Sequence, residues 1–246
     1  MLNSEPEIEK KEAGLSGKII LITGGSGGIG QAVCAALAAR DAVVIDASID
    51  YIGRPADFHF SEGQISKIGA DITDPESVAA LFAWIDGNFG RIDVLINNAG
   101  LFLFKPMLEI DPKAWRKVLA VNLDGAFYCI REALLRMSQT GGGQIINIGS
   151  VAGQVALPSN GAYGTSKAGL KMLTELVNTE FASKGIKATW LALGAVETDL
   201  WTTLDQNTDE MLSPGQVADS LLFIIQQNMY GRLEEFCLLP NYRYRI

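Results

Sequence analysis

Short apolar segments alternate with longer amphipathic segments along almost the whole chain. Seven apolar segments predict buried strands, at residues 18–23, 42–45, 68–72, 92–96, 144–148, 188–193 and 235–239. Helical periodicity predicts helices at residues 31–40, 75–88, 112–123, 124–137, 163–183 and 215–227. Strands separated by helices form β-α-β units, whose parallel sheet is covered by helices on both faces. The pattern therefore predicts an α/β fold, a doubly wound parallel sheet of about seven strands flanked by helices.

Two segments do not follow this alternation. Residues 48–67 should hold a crossover helix, but Gly53, Pro55 and Gly63 interrupt its periodicity. Residues 199–213 show no clear pattern, so we expect a mobile loop or lid there.

Composition and charge narrow the class of protein. The 246 residues are 48% hydrophobic and carry a net charge of −8, which argues against a nucleic-acid surface because such a surface needs clustered Lys and Arg. No run reaches the roughly 18 apolar residues of a membrane span. Residues 1–14, rich in Glu and Lys, are predicted to be a disordered acidic tail rather than a signal peptide. Residues 15–246 are predicted to form a single domain.

The cysteines and the histidine exclude two further classes. Cys34, Cys129 and Cys237 are odd in number, far apart and outside any Cys-x-x-Cys motif, so neither a disulfide framework nor a zinc site is predicted. The only histidine, His59, cannot build a histidine-based metal site and is expected to be a structural or surface residue. We therefore predict no metal and a reducing, cytoplasmic location.

A glycine cluster follows the first predicted strand. The sequence Thr23-Gly-Gly-Ser-Gly-Gly-Ile-Gly30 fits both G-x-G-x-x-G and G-x-x-x-G-x-G. Glycines let the backbone approach a pyrophosphate, and the helix that follows points its amide groups at the anion. A plain structural turn is the alternative. The position between the first strand and first helix of a β-α-β series favours dinucleotide binding.

The second predicted strand carries a candidate for recognising the cofactor ribose. Asp46 lies 22 residues after Gly24, near the spacing at which an acidic residue binds the adenosine hydroxyls. No Arg or Lys adjoins it in sequence, which favours NAD over NADP. Counted without gaps, Asp46 comes about two residues early, so Ser48 and Asp50 are rivals for this contact. A solvated loop aspartate is the remaining alternative.

The chain also contains a Tyr-x-x-x-Lys pair. Tyr163 and Lys167 open the long fifth helix and share one face of it. A neighbouring ammonium should lower the tyrosine pKa from about 10, which suits a general acid or base. Ser150, 13 residues before Tyr163, ends the fifth predicted strand and could polarise a carbonyl. A Tyr-x-x-x-Lys motif alone is more often part of a solvated helix face. Ser150 and the upstream glycine loop favour a catalytic role for it here.

Taken together, these motifs resemble those of the classical short-chain dehydrogenase/reductase family. The matching segments occur in the family order and are Thr23-Gly24 with Gly28 and Gly30, Asp71-Ile72, Asn97-Asn98-Ala99-Gly100, Val121-Asn122, Ser150, Tyr163 with Lys167, and Gly194–Thr198. The resemblance covers residues 15–240 and implies a Rossmann-type fold. One departure is Leu193-Gly194, where the family usually has Pro-Gly.

The resemblance also implies a role for each motif. Tyr163 would transfer the proton to or from the substrate oxygen, Lys167 would lower its pKa and hold the nicotinamide ribose, and Ser150 would hydrogen-bond the substrate oxygen. Asn122 would support a water-mediated proton relay. The residues expected along the cofactor are Gly24, Ser26, Gly28, Ile29, Gly30, Asp46, Asp71, Ile72, Asn98, Gly100, Tyr163, Lys167, Val196 and Thr198.

The expected activity is hydride transfer between NAD(H) and a secondary alcohol or ketone. An NADP(H)-dependent ketone or 3-oxoacyl reductase is the rival, and a non-catalytic dinucleotide-binding sensor or scaffold is the alternative from another class. A nucleotide-sugar epimerase is disfavoured by the length of the chain. The apolar residues expected to line the substrate pocket are Leu101, Phe102, Leu103, Phe104, Val155, Leu157, Leu200, Trp201 and Leu204. The resemblance also implies a homo-oligomer, a tetramer or dimer formed through the helices that start near residues 124 and 163.

Overall fold

The computed structural model describes residues 14–54, 57–59, 63–198 and 210–241. Almost all of the predicted tail therefore lies outside the described residues. The same holds for residues 199–209 of the predicted lid, which include Leu200, Trp201 and Leu204 of the expected pocket wall.

Seven parallel strands form one sheet, which confirms the predicted architecture. They are β1 Ile19–Thr23, β2 Val43–Ser48, β3 Ile65–Gly69, β4 Val94–Asn97, β5 Gly143–Ile148, β6 Ile186–Leu193 and β7 Glu235–Leu238. Their order across the sheet is β3-β2-β1-β4-β5-β6-β7, and every pairing is parallel. The strand order reverses between β1 and β4. Ligands of doubly wound sheets bind at such a reversal, beyond the carboxyl ends of the strands.

Helices cover both faces of the sheet. They are α1 Gly28–Ala38, α2 Pro75–Phe89, α3 Pro112–Leu119, α4 Ala126–Thr140, α5 Gly161–Phe181 and α6 Pro214–Gln227. Buried residues of α1 and α6, such as Leu37 and Leu221, form one apolar layer with the sheet. Buried residues of α2, α4 and α5, such as Phe82 and Leu170, form the other layer. No helix in the described ranges is both long enough and apolar enough to cross a bilayer.

Local sequence explains where the elements begin and end. All five residues of β1 are buried, as expected of a central strand covered on both faces. At the start of α2, the Asp74 side chain accepts a hydrogen bond from the Glu76 amide and Pro75 occupies the first turn. The helix ends at Gly90, whose φ of 68° is left-handed.

Several element ends are shifted by up to three residues, including that of β2, which runs to Ser48. The structure also differs from the predicted elements in three places. The third strand is β3, Ile65–Gly69, rather than residues 68–72, because its pairing with β2 starts at Ile65 and includes the buried polar Ser66. The Ser66 hydroxyl exchanges hydrogen bonds with the His59 backbone. Described residues between β2 and β3 form a 3₁₀ turn, Ile49–Tyr51, instead of a crossover helix. Residues Ala120–Gly125 form a π-helical turn between α3 and α4.

Candidate active site

The glycine loop packs so closely that side chains would not fit at Gly24, Gly25 and Gly30. Gly24 has a left-handed φ of 67°, and a Cβ there would lie 2.9 Å from the Ala99 Cα. A Cβ on Gly30 would lie 2.3 Å from the Gly24 carbonyl oxygen. The Gly27 N-cap of α1 offers no side-chain capping hydrogen bond, so the first amide groups of the helix stay available to an anion. This cradle fits the diphosphate of a dinucleotide.

Asn98 connects the glycine loop to the end of β4. Its Nδ2 donates hydrogen bonds to the carbonyl oxygens of Thr23, at 3.0 Å, and Gly24, at 2.8 Å. The Thr23 hydroxyl accepts in return from the amides of Asn98 and Ala99. Neighbouring Gly100 is close to the predicted catalytic groups, because a Cβ there would lie 3.7 Å from Lys167 Nζ.

Asn122 lies in the π-helical turn between α3 and α4, a kind of irregularity often found at functional sites. It is buried, and its side chain exchanges two hydrogen bonds with the Leu101 backbone: Nδ2 donates to the carbonyl at 2.8 Å, and the amide donates to Oδ1 at 2.7 Å. Nδ2 also donates to Ser166 Oγ at 3.0 Å. Asn122 thus ties the segment after β4 to α5.

Lys167 is a buried cation at the centre of the site. Its ammonium donates a hydrogen bond of 2.7 Å to the Ile148 carbonyl at the end of β5, and only 4% of the residue is exposed. Burial lowers the pKa of this ammonium from 10.5 to about 8. Lys167 can therefore change protonation state close to neutral pH.

Tyr163 lies beside Lys167, as the spacing predicts. Lys167 Nζ is 5.8 Å from the centroid of the Tyr163 ring, and the Phe102 ring meets it edge-on at 4.9 Å. Burial raises the pKa of the Tyr163 phenol, while a hydrogen bond with the Ser150 side chain lowers it. The expected lowered pKa is therefore wrong for the protein chain alone: desolvation dominates, and Ser150 rather than Lys167 is the group that opposes it.

Asp46 lies deeper than its proposed ribose contact requires. It is 2% exposed, and its carboxylate accepts hydrogen bonds from the hydroxyls of Ser48, at 2.7 Å, and Tyr51, at 2.8 Å. Burial raises its pKa, and these hydrogen bonds oppose the rise. Asp50, one of the two rivals, is exposed and accepts a hydrogen bond of 2.8 Å from Ser26 Oγ. The surface carboxylate beside the glycine loop is therefore Asp50.

The other expected cofactor residues lie at the glycine loop, after β3, in the first turn of α1 and near β6. Thr198 lies against the glycine loop, since a Cβ on Gly28 would be 3.3 Å from its Cγ2. Asp71 and Ile72 follow β3, but Asp71 Oδ1 accepts hydrogen bonds from Thr73, and Ile72 is buried against Gly125. Ile29 is the second residue of α1, and Val196, buried near β6, pairs with Leu212 in an isolated parallel bridge.

Several contacts of the site were missed from the sequence. Ser166 joins Asn122 to α5 and donates to the Tyr163 carbonyl at 2.7 Å. Tyr51 supports Asp46, and Lys67 is the register partner of Asp46 on β3. Because Ser166 directly precedes Lys167 in sequence, its presence at the site could have been predicted. The pairing of Lys67 with Asp46 could not, because it depends on the shifted start of β3.

The predicted substrate wall contacts Tyr163 through the Phe102 ring. Phe102 and Phe104 stack with centroids 6.4 Å apart, and Phe104 and Val155 are more than half exposed. Leu101, Leu103 and Leu157 are partly exposed. In the part that the structure describes, the predicted wall of the substrate pocket is thus apolar and partly exposed to solvent.

Comparisons with known proteins agree with this geometry. The family model for short chain dehydrogenases matches residues 18–209. A cis-4-hydroxycyclohexanecarboxylate dehydrogenase of Sinomonas cyclohexanicum is 32% identical over 222 residues, covering 84% of this chain and 88% of that protein. A 3-oxoacyl-(acyl-carrier-protein) reductase of Vibrio cholerae is 32% identical over 191 residues, covering 78% of each.

A solved structure has the same fold. A Burkholderia xenovorans protein solved as a short-chain dehydrogenase/reductase has a TM-score of 0.81 and 26% identity, and the match covers 92% of this chain and 96% of that one. Because the family model matches most of the chain and its motif residues converge in one site, the chain belongs to the short-chain dehydrogenase/reductase family of oxidoreductases.

Proposed function

We propose that the protein transfers hydride between NAD(H) and a secondary alcohol or ketone, with Tyr163 as the general acid and base. The observation that carries this proposal is the convergence of Ser150, Tyr163 and Lys167 at the carboxyl end of β5. Tyr163 is close to Lys167 and hydrogen-bonded to Ser150. The glycine loop lies across the strand reversal, where a dinucleotide would extend towards them.

The chain has residues to hold both halves of the cofactor. The first amide groups of α1, at Gly28, Ile29 and Gly30, would bind the diphosphate. Lys167, close to Gly100 after β4, would bind the nicotinamide ribose. The nicotinamide supplies or accepts the hydride when it is bound.

The protein residues manage the proton. In ketone reduction the Tyr163 phenol donates its proton to the carbonyl oxygen, and in alcohol oxidation the phenolate accepts the hydroxyl proton. Ser150 orients that oxygen by a hydrogen bond. Lys167, whose pKa of about 8 lies close to neutrality, would pass on a proton. Asn122 holds the segment after β4 in place beside Lys167.

Acidic groups near the adenosine end support NAD over NADP. Asp50 lies at the surface beside Ser26, with Asp46 beneath the loop. Carboxylates there would repel a ribose 2′-phosphate. We assign the ribose contact to Asp50, because both oxygens of Asp46 already accept hydrogen bonds from within the protein. Lys67, beside Asp46 on β3, is the observation that favours the NADP(H) rival.

The substrate we propose carries its reacting carbon on a largely apolar body. Phe102 and Phe104 offer an aromatic surface beside Tyr163. The Sinomonas relative is named for a ring-borne secondary alcohol, which is the same functional group. The Vibrio relative is named for a 3-oxoacyl thioester, so a 3-oxoacyl reductase is the alternative substrate class.

We also propose a homo-oligomer, a tetramer or dimer, formed through α4 and α5. Each helix exposes two large apolar side chains, Phe127 and Leu135 on α4 and Met172 and Leu176 on α5, with exposures between 43% and 54%. In each helix the two residues are spaced by one or two turns and so share a face. Burial of these side chains against a second copy would remove them from water.

Turnover of a panel of cyclic ketones and 3-oxoacyl thioesters tests the activity. We expect wild-type protein to oxidise NADH with one class, and Tyr163→Phe to reduce kcat by about a hundredfold or more with NADH affinity unchanged. Equal rates for both proteins would contradict the role of Tyr163. Tight NADH binding without turnover of either class would favour the sensor or scaffold instead.

A further inference from the structure

Asp46 is an ionisable group that the proposed reaction does not use. Asp46 lies within β2, two residues before its end, and is 2% exposed. Burying its charge is unfavourable unless donors surround it. Three donors do so: the hydroxyls of Ser48 and Tyr51, at 2.7 and 2.8 Å, and the backbone amide of Gly25. One of these donors therefore belongs to the glycine loop itself.

The carboxylate fills the space beneath that loop. A Cβ on Gly25 would lie 2.3 Å from Asp46 Cγ, so the carboxylate packs directly against the Gly25 Cα. The next loop amide, that of Ser26, donates a hydrogen bond of 3.1 Å to Ser48 Oγ, whose own proton goes to Asp46. Asp46 thus holds two consecutive loop amides, one directly and one through Ser48.

This arrangement fixes the direction of the remaining amides. The Gly25 amide donates to Asp46 and the Ser26 amide to Ser48, both in β2, and the Gly27 amide donates to the Gly24 carbonyl at 3.3 Å. The amides at the start of α1 are left to face a ligand. The conformation of the loop therefore depends on the Asp46 carboxylate beneath it. So does the direction in which the first amide groups of α1 point.

We propose that Asp46 is a positioning residue for the diphosphate-binding loop, acting through Gly25, Ser48 and Ser26, and does not contact the cofactor. This inference rests on the proposed binding of a dinucleotide at the glycine loop. It assigns diphosphate affinity to Asp46 and ribose recognition to Asp50.

A ligand carboxylate and a positioning carboxylate differ in which part of the cofactor they affect. Adenosine contains the ribose hydroxyls without phosphate, whereas ADP adds the diphosphate. Both can be measured by competition against bound NADH, followed by nicotinamide fluorescence. For Asp46→Asn we expect ADP and NADH to bind about tenfold more weakly. Adenosine should bind as it does to the wild type, within a factor of about two.

Asp50→Asn is the matched control, because it removes the other carboxylate that accepts a hydrogen bond from the loop region. We expect it to weaken adenosine and ADP by the same factor, since the ribose is common to both. Ser48→Ala removes the link to the Ser26 amide and one donor to Asp46, but it leaves Asp46 and the Gly25 amide in place. Its ADP affinity should lie between those of the wild type and Asp46→Asn. It carries the test if Asp46→Asn does not fold.

The outcomes separate the inference from the function on which it rests. Equal weakening of adenosine and ADP in Asp46→Asn would make Asp46 a ribose ligand and overturn the inference. Unchanged ADP affinity in Asp46→Asn and Ser48→Ala would overturn it as well. Failure of wild-type protein to bind NADH, NADPH or ADP would instead refute the proposed dinucleotide site.

Discussion

Replacement of Lys167 by methionine should make the protein more stable at neutral pH while it abolishes the proton transfer that we propose. Burial lowers the Lys167 pKa from 10.5 to about 8, and at about 1.36 kcal/mol per pKa unit the buried charge costs about 3 kcal/mol of folding free energy below pH 8. Lys167→Met also leaves the Ile148 carbonyl without its donor, a loss of about 1 kcal/mol. The free energy of unfolding should therefore rise by about 2 kcal/mol at pH 7.

The sign of the pH dependence follows from proton binding. The folded-state pKa lies below the unfolded one, so between about pH 8 and 10.5 the unfolded chain binds more protons than the folded chain. The stability of wild-type protein consequently increases with pH across this interval, whereas the methionine side chain of the variant has no proton to exchange. About 2 kcal/mol of the difference between variant and wild type should disappear between pH 7 and pH 9.5.

Urea unfolding of both proteins at matched concentration, at pH 7 and pH 9.5, measures this difference. Lys171→Met is the control, because Lys171 lies one turn further along α5 but forms ion pairs with Glu235 and Glu175 that raise its pKa. It should give no gain in stability at pH 7. A Lys167→Met variant that is less stable than wild type at pH 7, or whose difference from wild type does not change with pH, would refute the reasoning.

Three further predictions concern the loop, the wall and the surface. Gly30→Ala should weaken NADH binding and cost on the order of 1–3 kcal/mol of stability, because its Cβ would collide with the Gly24 carbonyl at 2.3 Å. Fluorescence titration measures the NADH affinity and urea unfolding measures the stability. Unchanged NADH affinity would contradict the close packing of the loop. Phe102→Ala should raise KM more for bulky apolar ketones than for small ones, since its ring borders Tyr163; a KM increase equal for both would place Phe102 outside the substrate wall. The double variant Met172→Glu, Leu176→Glu should dissociate the oligomer, because it would bury like charges at the interface. Light scattering after size exclusion measures the mass of the oligomer. An unchanged mass would show that the interface does not include these two residues.

The central strands could be predicted from sequence because they are apolar on both faces. β1, β4 and β5 lie within a residue or two of the predicted segments. The edge strand β3 was predicted three residues late, since its pairing includes the buried polar Ser66, whose partner is the His59 backbone. A hydrogen bond between segments cannot be seen in the local pattern of apolar residues.

The site shows the same division. Motif spacing located Ser150, Tyr163 and Lys167, because a strand end and one helix face bring them together. The π-helical turn at Asn122 was missed, since apolar periodicity continues through it. The hydrogen bonds of Asn122 are made to Leu101, 21 residues away in sequence. Spacing also could not reveal the depth of Asp46, which depends on the absence of a side chain at Gly25.

The most direct test of the central claim is titration of the purified protein with NADH and with NADPH, followed by nicotinamide fluorescence. We predict that NADH binds at least about tenfold more tightly, because Asp50 and Asp46 oppose a 2′-phosphate. Preference for NADPH would contradict the assignment of the ribose contact and favour the reductase with Lys67 near the phosphate. Binding of neither nucleotide would contradict the proposed oxidoreductase activity itself.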